Sequence, residues 1–178
     1  AGVTGMIDLL ARVRAEEPDA FLIYKPHPDV VSGLRAGGQG ERDAAELADL
    51  VAPRADLTDL LDRVDAVHVL TSLTGFEALV RGRQVVVHGQ PFYAGWGLTQ
   101  DRAPIARRTR QRTLAELVAP ALIAYPLYAS ARTGEACSVE TLARELAAGG
   151  GAHGPSAMRA VMGRVAGWIG ARRATSEA

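Results

Sequence analysis

The strongest constraint on this chain is the alternation of short, continuously apolar runs with segments of helical spacing. "AFLIY" (20–24), "AVHVL" (66–70) and "QVVVHG" (84–89) are β-rich and apolar on both faces, and a further short strand is expected near 48–52. Met6, Leu9, Leu10 and Val13 mark a helix over 4–17, with Thr4 as its cap and Pro18 behind its end. A helix over 56–63 capped by Asp56, a short one over 75–82, and others near 113–123, 138–148 and 156–173 complete the pattern. Residues 32–41 hold four glycines and read as a loop. Strands apolar on both faces need cover on both faces, which helix layers over a parallel sheet supply. The predicted fold is therefore α/β, a doubly wound parallel sheet, over residues 1–148. The glycine stretch 149–154 then detaches a last helix, making 149–178 a linker and C-terminal helix.

Composition removes several function classes. The 20 acidic and 20 basic residues balance, so net charge argues against a broad nucleic-acid surface. The lone Cys137 excludes an intrachain disulfide and a multi-cysteine metal site, and fits a reducing compartment. No apolar run approaches the ~20 residues needed to cross a bilayer. The opening "AGVTGMIDLL" has neither the basic region nor the apolar stretch of a signal peptide, and no initiator Met. The chain thus reads as part of a longer protein.

Open α/β sheets bind ligands beyond the carboxyl ends of their strands. Here three strands run into unusual chemistry: KPHPD, TSLTG and HGQPFYAGWG. In "YKPHPD" (24–29), the prolines stiffen a turn that carries Lys25 and His27. Such a turn can hold a phosphate and a base, or can simply be rigid with solvated side chains. "TSLTGFEALVRG" (71–82) passes from strand to helix through Thr71, Ser72 and Thr74, with Gly75 open to close approach. Anion binding at a helix start and ordinary hydroxyl capping both explain it. Glu77, in the first turn, can support the cap or accept ribose hydroxyls. The loop 89–101 sets Phe92, Tyr93 and Trp96 among Gly89, Gly95 and Gly97. We read Gln90, Tyr93 and Trp96 as a wall of the site, with Phe92 buried as an anchor.

The bland readings prevail elsewhere. Arg102, Arg107, Arg108, Arg110 and Arg112 form a solvated basic face, with contact to an acidic substrate or anionic lipid headgroups as the alternative. His68 belongs to the core, His153 to the glycine linker, and Cys137 has a structural setting. His88, at a strand end, is a candidate for the site. Asp29 and Asp101 read as turn or capping residues. No metal-ligand spacing, Walker loop, G-x-S-x-G elbow or G-x-G-x-x-G fingerprint occurs.

"YKPHPD", "TSLTGFEALVRGRQVVVHGQPFYAGWGLTQDR" and "YPLYASARTGEACSVE" together resemble the bacterial capsule polysaccharide biosynthesis proteins that act as retaining β-Kdo glycosyltransferases. The likeness runs from about residue 5 to about residue 147. It implies the Rossmann-like, donor-binding half of a GT-B module, with CMP-β-Kdo as donor, no cofactor or metal, and a lipid-linked oligo-Kdo acceptor. It also implies a missing N-terminal domain as partner. The expected location is cytoplasmic, including the cytoplasmic face of the inner membrane. The His-Pro turn and hydroxyl-rich helix start also resemble those of bacterial sialyltransferases. By that likeness Lys25 and His27 meet the cytidine and its phosphate, Thr71 and Ser72 cradle the phosphate, and Glu77 binds ribose, with Pro28, Thr74 and Gly75 counted among the donor-binding residues. No carboxylate here has the setting of a catalytic nucleophile, so that group is expected in the missing half. A GT-B-like UDP-sugar epimerase domain and a non-catalytic interaction domain are the alternatives.

Overall fold

The computed structural model describes residue 3, residues 5–27 and residues 40–149. Thr4, Pro28, Asp29, His153 and the helix expected at 156–173 lie outside these residues. The chain falls into two compact units divided after Val118.

In the first unit, α1 (Met6–Glu16) buries Leu9, Leu10 and Val13, one face of a 3.6-residue repeat, and its N-cap is the extended Gly5. β1 (Ile23–Tyr24) pairs in parallel with β2 (Leu50–Val51), Ile23 opposite Leu50. β1 is shorter than the run "AFLIY" because the Leu22 N–H is diverted to the Asp49 carboxylate at 2.7 Å. Between these strands α2 (Gly40–Leu47) packs on α1, with Ala44 fully buried. Residues 40 and 41 therefore open a helix, where the glycine count suggested a loop. Arg14 caps its far end, its Nε donating to the Leu47 carbonyl at 3.1 Å.

α3 (Leu57–Leu61) begins as its sequence predicts: the Asp56 carboxylate accepts from the N–H groups of Thr58 (2.8 Å) and Asp59 (3.3 Å). The second ladder runs β3 (Ala66–Val69), β4 (Gln84–Val87), β5 (Gln100–Asp101), all parallel. Val85, Val86 and Val87 are consecutive yet all buried, so β4 is covered on both faces, as the doubly apolar pattern requires. α4 (Thr74–Val80) supplies cover, folding back over β3 and β4 with Phe76, Ala78 and Leu79 buried. β5 has two polar residues and no apolar signature, so no periodicity marks it as a strand.

α5 (Leu114–Ala119) leads to a wider, π-helical turn, Pro120–Ala124, closed by the Tyr125 N–H on the Pro120 carbonyl at 3.0 Å. In the second unit, β6 (Tyr128–Ala129) and β7 (Ala136–Cys137) form an antiparallel hairpin. α6 (Val139–Ala148) follows, capped by Ser138. The buried Ser130 hydroxyl donates to the Glu145 carboxylate at 2.8 Å, and the Ala131 N–H reaches the same carboxylate at 2.8 Å, which fixes α6 on the hairpin.

Asp56→Ala removes the acceptor for two helix-start N–H groups. Urea unfolding followed by circular dichroism should show a loss of about 1 kcal/mol with an unchanged slope.

Candidate functional site

The β3 and β4 strands are parallel neighbours, so their carboxyl ends lie side by side, and the segments that leave them meet. After β3 comes the turn 70–73, in which Thr71, Ser72 and Leu73 are exposed. The Ser72 hydroxyl accepts the Thr74 N–H at 3.2 Å and bonds the Thr74 hydroxyl at 3.0 Å. Ser72 thus satisfies the first N–H of a seven-residue helix, whose N-cap residue is Leu73 and has no side-chain cap bond.

The loop leaving β4 presses on this turn at two glycines. A Cβ on Gly89 would lie 2.7 Å from the Leu70 carbonyl oxygen, so only a glycine lets the two backbones approach this closely. At Gly75 the neighbour is Tyr93, whose ring carbon Cζ would stand 2.8 Å from an added Cβ. Tyr93 is fully buried, and its hydroxyl donates to the Ser72 carbonyl. Burial pushes the Tyr93 phenol up to about 12, so it remains a protonated donor.

These contacts correct two expectations. The open side of Gly75 is filled by Tyr93 rather than left for a ligand. Phe92, expected as the buried anchor, is 45% exposed, while Tyr93 is at 0%. The exchange has a steric reason: Tyr93 points inward onto a glycine, and Phe92 lies outside Phe76, ring centres 5.1 Å apart.

The rest of the loop is held by side chains that satisfy its backbone. Trp96 Nε1 donates to the Phe92 carbonyl at 2.8 Å, and Arg108 donates to the carbonyls of Pro91 (2.7 Å) and Ala94 (2.5 Å). The Arg108 guanidinium also lies 5.2 Å from the Trp96 ring centre, a cation–π contact. Desolvation, and then Arg107, lower the Arg108 pKa, while Asp101 opposes the shift. Asp101 accepts the Gly95 N–H at 2.9 Å and the Thr99 hydroxyl at 2.7 Å, a turn role as its sequence suggested. Gly95 and Gly97 take φ of +77° and +81°, the left-handed region. Arg108 is therefore a tie within the loop and no part of a solvated face. Arg102 and Arg112 pair with Glu16 (3.1 Å) and Glu116 (3.3 Å).

The remaining candidates are placed as follows. Gln90 is exposed, with Nε2 on the Pro104 carbonyl at 3.1 Å; Trp96, Thr74 and Glu77 are half-buried. On the other ladder, Lys25 donates from Nζ to the Pro53 carbonyl at 2.8 Å, Pro26 is fully buried, and His27 is exposed. The loop and the hydroxyl turn are thus brought together, whereas Lys25 and His27 follow β1, at the end of the other ladder. Among the described residues, no group of three or more histidine, cysteine or acidic side chains could hold a metal ion.

A model of the capsule polysaccharide biosynthesis protein family matches residues 2–134. The chain belongs to this family. Its residues are 54% identical over 140 positions to the capsule polysaccharide modification protein LipA of Neisseria meningitidis serogroup A, covering 79% of this chain and 20% of LipA. Identity is 46% to the lipopolysaccharide-processing protein LpsZ of Rhizobium meliloti, over 79% of this chain and 32% of LpsZ. Among solved structures, the β Kdo 2,7 transferase of Thermosulfurimonas dismutans KpsC superposes with a TM-score of 0.69 at 42% identity, over 79% of this chain and 44% of that one. The β Kdo 2,4 transferase of the same KpsC gives 0.71 at 34% identity, over 78% and 43%. The chain therefore spans less than half the length of the relatives it matches.

Within this family segment, one histidine pairing escaped the sequence. His68 lies in β3 and His88 directly follows β4, and His68 Nδ1 lies 3.2 Å from His88 Nε2. His88 is 6% exposed, and its Nδ1 has no hydrogen-bond partner. A charged imidazole carries protons on both nitrogens, and here one of them would have no acceptor. Desolvation, and then His68, push the His88 pKa down to about 4; Glu16 opposes the shift while Arg12 and Arg102 add to it. Desolvation also lowers His68.

Between the free value of 6.5 and about 4, the unfolded chain takes up a proton at His88 that the folded chain refuses. The His88 contribution to stability should therefore fall as pH drops through that window, by up to about 3 kcal/mol, and level off below it. Denaturant unfolding at pH 7, 5.5 and 4 reads this slope, and His88→Leu should flatten most of it.

Proposed function

We propose that this chain is the donor-binding part of a glycosyltransferase that moves Kdo from CMP-β-Kdo onto a lipid-linked oligo-Kdo linker in capsule polysaccharide synthesis. The observation that carries this reading is the match to two Kdo transferase structures that differ in the linkage formed, 2,7 and 2,4. What two such enzymes have in common is the sugar they transfer. A segment similar to both suits recognition of the shared donor better than selection of the acceptor hydroxyl.

The residues fit that role chemically. Thr71 and Ser72 present hydroxyls at the carboxyl end of β3, where an α/β sheet binds phosphate groups. Glu77, one turn into α4, is the candidate acceptor for ribose hydroxyls. Lys25 and His27, followed by Pro28, are assigned to the cytidine and its phosphate, with Lys25 first leaving the Pro53 carbonyl. Gln90 and Trp96 form the wall on the β4 side. In a GT-B enzyme the acceptor and the catalytic groups meet the donor from the facing domain. Retention by double displacement needs a carboxylate nucleophile. Asp101, the carboxylate within the loop, is already committed to Gly95 and Thr99. The nucleophile is accordingly assigned to the part of the relatives that this chain does not span.

Two-dimensional amide NMR tests the donor. Cytidine monophosphate should shift signals of His27, Ser72 and Glu77, with uridine and adenosine monophosphates acting less. Equal response to all three removes the cytidine specificity, and a uridine preference favours a UDP-sugar enzyme. The 178-residue chain alone should transfer no Kdo; measurable transfer would place the nucleophile inside it.

A further inference from the structure

We infer that Tyr93 is the positioning residue of the donor turn, a role that rests on the donor-binding reading above. Thr71 and Ser72 are exposed on a short turn with two local side-chain bonds, the Ser72 hydroxyl to the Thr74 hydroxyl and the Thr74 N–H to the Ser72 hydroxyl. A ligand gripped by such a turn would bear the entropic cost of ordering it, unless the protein orders it beforehand.

Tyr93 does that from beneath. Its phenol donates to the carbonyl of Ser72, the residue that offers a hydroxyl on the outer side. The same carbonyl accepts the Gly75 N–H at 3.2 Å, so one oxygen fixes both the hydroxyl-bearing residue and the start of α4. The Tyr93 ring lies on the bare α-carbon of Gly75, where a methyl group would collide with it. Phe76 contributes the second face of the support, its ring 6.3 Å from that of Tyr93. The loop supplying Tyr93 is anchored independently of the turn, through Arg108, Asp101 and Trp96. It can therefore transmit position to the turn and does not follow it.

This separates Tyr93 from the exposed donor contacts. It touches no ligand, and its effect is on the geometry of Ser72. Tyr93→Phe keeps the ring and removes only the bond to the Ser72 carbonyl. In the full chain, calorimetric binding of cytidine monophosphate should weaken about five- to tenfold. Hydrogen exchange at the amides of Thr74, Gly75 and Phe76 should speed up. Thr99→Val, which removes a bond in the same loop away from the turn, should lower the melting temperature comparably and leave nucleotide affinity within about twofold. If Tyr93→Phe binds the nucleotide as tightly as the parent chain while melting lower, Tyr93 only packs, and the inference is overturned. If the parent chain binds no cytidine monophosphate, the donor reading fails, and the positioning role falls with it. Hydrogen exchange tells the two failures apart, because it reports the brace without a ligand.

Discussion

The bond from the Tyr93 phenol to the Ser72 carbonyl joins the two segments that leave β3 and β4, and the shape of the candidate site depends on it. Parallel strands bring their carboxyl ends together but do not say how the following segments pack. That is decided by two glycines: Gly89, where backbone meets backbone, and Gly75, where an aromatic ring meets an α-carbon. A wholly buried tyrosine must find an acceptor for its hydroxyl, or bury an unpaired donor at a cost of about 1–3 kcal/mol. The carbonyl of a turn residue is well suited, because the turn offers it no strand partner.

A loop rich in glycine has a second requirement, since its carbonyls have no ladder to join. Side chains take that part. Arg108 serves two carbonyls with one guanidinium, and Trp96 serves a third. The Arg112 N–H meets the Trp96 carbonyl at 2.8 Å. Arg108 loses hydration in doing so, and the two carbonyls together with the Trp96 face offset that loss. The aromatic content of the loop is thus divided by function. Tyr93 braces, Trp96 closes the backbone and carries Arg108, and Phe92 keeps nearly half its surface in solvent.

Legibility in the sequence followed the range of the interactions involved. Local signals were reliable: Asp56 caps where its position suggests, the helix expected near 138–148 forms over Val139–Ala148, and the continuous valines of β4 announce a strand covered on both faces. Elements stabilised at long range were hidden. α2 depends on packing against α1 and on Arg14 from that helix, and its glycine neighbours masked it. β5 and the β6–β7 hairpin are two-residue strands with no periodicity to detect. At the site, the types of residue were readable but their directions were not. Nothing in "PFYAGW" says which ring turns inward, because that depends on Gly75, which lies on another element. Arg108 looked like one charge in a basic run for the same reason: its partners are carbonyls, which a sequence does not display. The pairing of His68 with His88 is a matter of register between strands, which neither strand encodes alone.

The brace also explains why one stretch can combine fixed geometry with adjustable chemistry. Its contacts are made by backbone atoms, glycines and a tyrosine, and none of them carries a charge that would dictate the ligand. The groups that could choose a ligand, the hydroxyls of Thr71 and Ser72 and the amide of Gln90, are exposed on the outer side. Changing one of those side chains alters chemistry at a place already held in position. Changing Gly75 or Tyr93 alters the position itself, and so affects every contact the turn makes. On the donor-binding proposal, the buried tyrosine would set how well the site grips, while the exposed hydroxyls would set what it grips.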